Sequence, residues 1–170
     1  FVLLPGFSMA SFSLAVEALV VANQCRSQPA YSYHIYGDDR QSPGRVVSSN
    51  GIAIETQGGL DDCRLCDQLI LCSYRHAPSY DNPLLFRHLR QIHQSGGRIA
   101  ALSCGAFVLA RAGLLHEKSC TLVAEYQSTF SELYPDIPLQ EGVYTVTGNI
   151  LTCAGGMAAL DMLLYIIGSD

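Results

Sequence analysis

Short apolar segments alternate along this chain with segments of helical period, and this pattern predicts an alternating series of strands and helices. The predicted strands cover residues 1–4, 31–36, 46–48, 52–54, 68–72, 99–102, 121–123 and 143–146. The predicted helices cover residues 11–24, 84–93, 106–112, 128–133 and 158–167. Strands that alternate with helices imply βαβ crossovers, so we expect a doubly wound α/β sandwich with a mainly parallel sheet.

Local signals define parts of this plan. Ser11 is predicted to cap the first helix, whose inner face would carry Leu14, Ala18, Val21 and Ala22. The pair Asn50-Gly51 lies between two short strands and predicts a hairpin. Residues 37–44 are polar enough to form an exposed excursion, and residues 73–83 form a long loop.

Length and composition favour one domain over residues 1–170. With 49% apolar and 15% charged residues the chain can bury a full core and is not a disordered segment. Its longest apolar stretches are shorter than the roughly 18 to 20 residues that cross a bilayer, so we expect no membrane partner. The start at residues 1–4 has neither an initiator Met nor a basic leader, which is untypical of a signal peptide and indicates a piece of a longer protein.

Charge and cysteine usage narrow the function further. The net charge is −5 and no basic face is visible, so we do not expect this chain itself to bind nucleic acid. Seven cysteines, an odd number lying mostly in apolar segments, fit a reduced, cytoplasmic setting. Cys63 and Cys66 have the spacing of half a zinc site, but no second pair lies at a partner distance. We therefore predict no metal and no cofactor.

Chemistry in a parallel sheet collects outside the carboxyl ends of the strands. The residues at those ends are 5–8, 73–75, 103–105 and 154–156. Around Ser103, a buried strand passes into a helix with almost no loop, which is the geometry of a nucleophile elbow. The pattern lacks the leading glycine of the hydrolase elbow, so spacing alone leaves catalysis open.

The stretch at residues 102–115, LSCGAFVLARAGLL, resembles the elbow of the PfpI-like, class I glutamine amidotransferase-like superfamily, in the form found in AraC-type transcriptional regulators. Residues 4–8 (LPGFS), 16–19, 22–23, 130–135 and 151–161 (LTCAGGMAALD) also agree with this family in order and spacing. The resemblance implies a dimerising sensor domain for small nitrogenous metabolites such as amino acids or quaternary amines. It also implies a DNA-binding part of two helix-turn-helix units after Asp170.

Departures from the family decide between a sensor and an enzyme. Catalytic relatives place Cys at the elbow position and a His after the next strand, so that imidazole and thiolate activate each other. Here the elbow position is Ser103, Cys104 follows it, and Val123 replaces the matching His. A serine without a base is a poor nucleophile, so we predict no catalytic residue. One alternative is a hydratase, deglycase or amidase that uses Cys104 or Ser103. Another is a purely structural dimerisation module with a closed pocket.

A ligand site is predicted at the carboxyl edge of the sheet. The residues expected to line one cavity there are Phe7, Ser73, Tyr74, Arg75, Ser103 and Cys104. Backbone N–H groups of Cys104 and Gly105 would serve an anionic group. Arg75 is the leading cation for a carboxylate ligand, and His76 is the one histidine expected near this cavity. Trp is absent, so an aromatic cage for a quaternary amine would need Tyr or Phe.

Overall fold

The chain forms a seven-stranded sheet with helices on both faces. The computed structural model describes residues 1–38, 43–63 and 66–170. The strands are β1 (Val2–Leu3), β2 (Tyr36–Gly37), β3 (Arg45–Val47), β4 (Ala53–Glu55), β5 (Gly58–Gly59), β6 (Gln68–Ser73), β7 (Arg98–Ser103), β8 (Tyr144–Thr147) and β9 (Ile150–Cys153). The helices are α1 (Met9–Gln24), α2 (Pro83–Gln94), α3 (Gly105–Arg111), α4 (Gln127–Leu133) and α5 (Met157–Ser169).

The strand order confirms the predicted α/β sandwich. The sheet runs β5-β2-β1-β6-β7-β9-β8, while β3 and β4 pair as a separate hairpin at the predicted place. All neighbours in the large sheet are parallel except β8, which is antiparallel to β9. The carboxyl ends of β1, β6 and β7 therefore share one edge, where ligands bind in open parallel sheets.

Two apolar cores flank the sheet because successive strand residues point to opposite faces. In β6, Leu69 and Leu71 join the core under α2 and α3, whereas Ile70 and Cys72 join the core under α1 and α5. Both faces of the central strands are thus buried. This explains why β6 and β7 read as continuous apolar runs with no alternation.

The first helix differs from the prediction at its start. Its N-cap is Ser8, whose side chain accepts a hydrogen bond from the N–H of Ser11. Ser11 therefore lies inside the helix and is buried. The inner face is also rotated from the prediction. Among the predicted inner residues Ala18 is buried, but Val21 is 45% exposed. The buried residues of α1 are Ser11, Phe12, Ala15, Ala18 and Leu19.

Two predicted strands are wrong because side chains take up their backbone N–H groups. Of residues 31–36 only Tyr36 is in a strand, since the N–H of Tyr31 donates to Asn23 and that of Ile35 donates to Gln57. Residues 121–123 form no strand. The N–H of Thr121 donates to the buried hydroxyl of Thr152 instead of a neighbouring strand.

Other predicted features have mixed outcomes. The helices at 84–93, 106–112, 128–133 and 158–167 correspond to α2, α3, α4 and α5, each within three residues at either end. Residues 39–42 of the predicted excursion at 37–44 lie outside the described residues. In the part of the chain that the structure describes, no helix has the length and apolar character to cross a bilayer.

Candidate functional site

The elbow between β7 and α3 has the predicted geometry. The strand ends at Ser103, whose φ is 57°, Cys104 caps α3, and the helix begins at Gly105. A left-handed backbone at a residue with a β-carbon costs about 1–3 kcal/mol, and such residues persist only where the surrounding structure holds them. The elbow is therefore a tight, strained turn at the edge where a ligand would bind.

The Ser103 hydroxyl belongs to a chain of hydroxyl groups. Its oxygen lies 3.1 Å from the Ser11 oxygen, and the Ser11 hydroxyl donates to the Ser8 oxygen at 3.0 Å. Ser11 also accepts the N–H of Gly156 at 2.8 Å. Because the one Ser11 proton goes to Ser8, Ser103 must donate its own proton to Ser11. The elbow hydroxyl thus faces another hydroxyl, which is no general base at neutral pH.

The start of α5 closes against the elbow. Gly155 has a φ of 82°, and a β-carbon there would collide with the hydroxyl oxygen of Ser103. Ser103 is only 3% exposed as a result of this close approach and of its contact with Ser11. The Gly155-Gly156 pair therefore supplies both the positive φ and the space that the elbow side chain needs.

Cys104 is buried and stays protonated. Its side chain is fully enclosed in the core under α3. Burial raises the pKa of this thiol to about 12, and the nearby carboxylate of Glu125 adds to the rise. Since the thiolate is the nucleophilic form, this environment suppresses the reactivity of Cys104.

Val123 lies next to the elbow, where the resemblance places a histidine. Its N–H donates to the carbonyl oxygen of Ser103 at 3.4 Å. Among the described residues, the Ser103 hydroxyl makes no hydrogen bond to any histidine. His76 is exposed and packs over another turn: a β-carbon at Gly6 would lie 2.8 Å from its ring carbon Cδ2. Within residues 1–38, 43–63 and 66–170, no histidine therefore bonds to the elbow hydroxyl as a base would.

Ser73 lies beside the elbow with an unused polar atom. It pairs with Ser103 in the register of β6 and β7, and it is 1% exposed. Its hydroxyl oxygen has no hydrogen-bond partner. A β-carbon at Gly105 would lie 3.7 Å from it. Buried hydroxyls are nearly always bonded, so this one is available to a water or a ligand.

The remaining predicted site residues reach the same edge with different exposures. Phe7 forms a backbone bridge with Tyr74, but its ring is fully buried and packs edge-on against Phe12 at 5.6 Å. Tyr74 is half-buried and Arg75 is exposed. The structure thus brings Ser73, Ser103 and Cys104 together in the interior and leaves Tyr74 and Arg75 at the surface.

Two further residues, Glu125 and Tyr126, belong to this edge and were not predicted. The Tyr74 hydroxyl donates to Glu125 at 2.7 Å, and this hydrogen bond raises the pKa of Tyr74. The ring of Tyr126 stands edge-on to that of Tyr74 at 6.0 Å and to that of Phe107 at 6.4 Å. The sequence carries no periodic signal for them, because they lie in a short 3-10 turn after Val123. We call Tyr74, Glu125 and Tyr126 the tyrosine–glutamate corner.

Arg111 and the pair Cys63 and Cys66 are the remaining candidate groups from the sequence. Arg111 is exposed, and it donates to the backbone carbonyls of Pro78 and Tyr80 at 2.8 Å, so it fixes the loop after β6. Cys63 and Cys66 are free thiols. No group of three or more metal-ligating side chains occurs within the described ranges.

The sequence also matches a known family over most of its length. Residues 40–168 match the DJ-1/PfpI family. The chain belongs to this family. The elbow follows β7, which lies between β6 and β9 in the sheet.

Proteins of similar sequence include named transcriptional regulators. The chain is 34% identical to HTH-type transcriptional regulator CdhR of Pseudomonas aeruginosa over 98% of its own length and 48% of that protein. It is 31% identical to the regulator GbdR of the same species, over 100% of this chain and 46% of GbdR. The chain therefore spans about half the length of these relatives.

A solved structure agrees with these matches. An AraC family transcriptional regulator from Pseudomonas putida superposes with a TM-score of 0.86 at 27% identity. The match covers 99% of this chain and 89% of the crystallised one. A unit of nearly this length therefore folds and crystallises.

The environment of Cys104 predicts its reactivity. With a pKa of about 12, only about one molecule in ten thousand carries this thiolate at pH 8, by the pKa relation for a single thiol. We expect iodoacetamide to label the exposed Cys25 at pH 8 and to spare Cys104 until the protein is unfolded. Mass spectrometry of the labelled peptides measures both rates. Labelling of Cys104 as fast as Cys25 at pH 7 would favour the enzyme alternative.

The contact of Gly155 with the elbow predicts a stability difference between two glycine variants. Gly155→Ala and Gly113→Ala both place a β-carbon on a left-handed backbone, at a cost of about 1–2 kcal/mol. At Gly113 the β-carbon meets nothing within 4 Å, whereas at Gly155 it collides with Ser103. We expect Gly155→Ala to lose a further 1–3 kcal/mol, roughly the cost of overpacking, in urea unfolding. Adding Ser103→Gly should restore part of that loss, and equal stabilities of the two single variants would contradict the contact.

Proposed function

We propose that this chain is the non-catalytic, ligand-sensing half of an AraC-type transcriptional regulator. The observation that carries the proposal is the elbow itself, which keeps the strained backbone of a catalytic turn while its hydroxyl bonds to Ser11 and Val123 adjoins it. The relatives CdhR and GbdR bear the names of HTH-type regulators. A turn of this shape, with no histidine of the described residues bonded to its hydroxyl, supports a role in binding and not in catalysis.

The ligand is a small nitrogenous metabolite, an amino acid or a quaternary amine. The tyrosine–glutamate corner offers two aromatic rings and a carboxylate to a cationic nitrogen, which aromatic faces and anions both stabilise. Arg75, exposed at the end of β6, offers a guanidinium to a carboxylate. Behind them, the free hydroxyl of Ser73 can accept or donate one further hydrogen bond. Phe7, Ser103 and Cys104 are buried behind the same edge of the sheet.

DNA binding resides in a segment beyond Asp170. The chain carries a net charge of −5, which repels the phosphate backbone, and it spans about half of each relative. Its cysteines are free thiols, which fits the reducing cytoplasm. In this proposal residues 1–170 bind the metabolite, and two helix-turn-helix units beyond them bind the DNA.

The complete protein provides the test of this division. In fluorescence anisotropy it should bind duplex DNA with an affinity that falls steeply with salt, and residues 1–170 alone should not. Choline, glycine and arginine serve as probes, and at least one should change the DNA affinity of the complete protein. Duplex binding by residues 1–170 alone would overturn the proposed division.

A charge variant ties that response to the site. Glu125→Gln removes the carboxylate that faces the cation, and we expect the effective probe to bind about tenfold more weakly, which corresponds to about 1.4 kcal/mol. Glu132→Gln, on the exposed surface of α4, is the matched control and should respond as the parent does. Equal responses of both variants would place the sensing site elsewhere.

We also infer that two copies dimerise through the outer face of α1 and α5. Across both helices the charged residues are Glu17 and Asp161 alone. Large apolar side chains project to solvent there, with Met157 67% and Leu164 55% exposed. Exposed apolar patches of this kind mark protein interfaces.

Leu164→Asp tests this interface, since it places a charge in the centre of the apolar face. We expect analytical ultracentrifugation to show a dimer for the parent protein and a monomer for this variant. Leu133→Asp is the matched control, because Leu133 is 53% exposed on α4, away from the face. A monomeric parent, or a dimeric Leu164→Asp variant, would contradict the inferred interface.

A further inference from the structure

A cavity of about 1020 Å³ opens at the amino edge of the sheet, opposite the elbow. Its floor includes Val2, Leu19 and Ile70, and Gln68 and Arg98, where β6 and β7 begin, form one side. The other side is the irregular segment at residues 30–36, which contributes Tyr31, Tyr33, His34 and Tyr36. We call this cavity the amino-edge groove.

Asp170 lies in the wall of this groove and is held there by two side chains. Arg98 donates to one carboxylate oxygen of Asp170 at 3.0 Å, and the Tyr31 hydroxyl donates to the other at 3.2 Å. These contacts involve the aspartate side chain, so they hold equally when the backbone continues. They fix the end of α5, and polypeptide that follows Asp170 leaves it beside the groove.

We propose that the amino-edge groove binds the polypeptide segment that follows Asp170 and so seats the DNA-binding half against the sensor. This inference rests on the proposed function, which places that half beyond residue 170. The relatives are about twice as long as this chain, so as much sequence again is available as the occupant. Because α5 ends in the groove wall, the segment reaches it without a long loop, and the closure cost is small.

The groove has the chemistry and size of a peptide site. Its tyrosines and its two arginines, Arg26 and Arg98, are residue types enriched where protein surfaces meet. Asp67 provides a negative charge in the same groove. Positive and negative side chains of a bound peptide could therefore both form ion pairs with the groove. Small-molecule sites measure about 300–1,000 Å³. This groove lies at the top of that range, well above what one amino acid would fill.

Thiol labelling measures whether the groove is covered. Cys66 is exposed and lines the groove, whereas Cys25 is exposed and lies outside its lining. We expect the ratio of Cys66 to Cys25 labelling by iodoacetamide to fall at least fivefold in the complete protein compared with the same protein ended at Asp170. Residues 1–170 enclose two apolar cores of their own, so the shorter protein is a folded reference.

Two variants of the complete protein locate the effect. Tyr33→Ser removes a 37% exposed ring from the groove wall and should raise Cys66 labelling towards the value of the shorter protein. Val47→Ser, at a 42% exposed position on β3 outside the groove, should not. Both variants remove apolar surface, so a general loosening of the fold would affect them alike and would count against the proposal.

Other occupants give different results. Equal labelling ratios in the two proteins would overturn the proposal. Protection of Cys66 in residues 1–170 on adding choline, glycine or arginine would show a metabolite in the groove and overturn it as well. Protection that grows with the concentration of residues 1–170 would show a second copy there, with the same consequence. The labelling experiment needs no DNA. If the complete protein failed to bind DNA, the proposed function would be refuted, and the labelling ratio would still test the groove.

Discussion

The backbone of Ser103 is the constraint on which the arrangement of the site depends. Its positive φ turns the chain from β7 into α3 with Cys104 as the cap and no intervening loop. A turn of this kind is unfavourable by itself, so its neighbours must hold it. Gly155 does so by close packing, and Ser11 does so through its hydroxyl. These two contacts join the elbow to the helices on one face of the sheet.

Helices α1 and α5 are connected through the same few atoms. Ser8 caps α1, Ser11 lies in its first turn, and the N–H of Gly156 at the start of α5 donates to Ser11. Both helices then run to the amino edge, where Leu19, Arg26 and Asp170 line the groove. The distance along α5 is about 20 Å for its 13 residues. The hydroxyl groups of Ser8, Ser11 and Ser103 therefore contact the first turns of α1 and α5. Both helices end at the groove.

The sequence predicts the architecture well because burial leaves a strong pattern of apolar residues. β6 and β7 are recognisable as apolar runs, and α2 shows apolar residues at helical spacing. The tight turn after β7 is also predictable, since small residues follow the strand at once, but spacing alone does not distinguish a catalytic elbow from any other tight turn. Errors occur where side chains replace the sheet as hydrogen-bond partners. Thr121 and Ile35 are such cases, because their partners Thr152 and Gln57 are distant in sequence.

The site is less predictable than the fold for the same reason. Ser11 looks like a helix cap in the sequence, and only the packing of α1 against β7 shows that it reaches Ser103. Glu125 meets Tyr74 across 51 positions in the chain. Such pairs depend on the relative placement of separate elements, which local pattern does not encode. The residues at the strand ends predict which edge of the sheet holds the site. The hydrogen-bond partners of those residues become visible only in the tertiary structure.

The retained elbow has a consequence for redesign. An engineer who wanted acyl-transfer chemistry here would find the most difficult part already built, since the left-handed turn and its glycine clearance are present. The missing parts are a base at or near Val123 and a hydroxyl released from Ser11. Both are side-chain changes on an existing backbone. Acyl-transfer chemistry at this elbow would thus call for side-chain substitutions and not for a new fold.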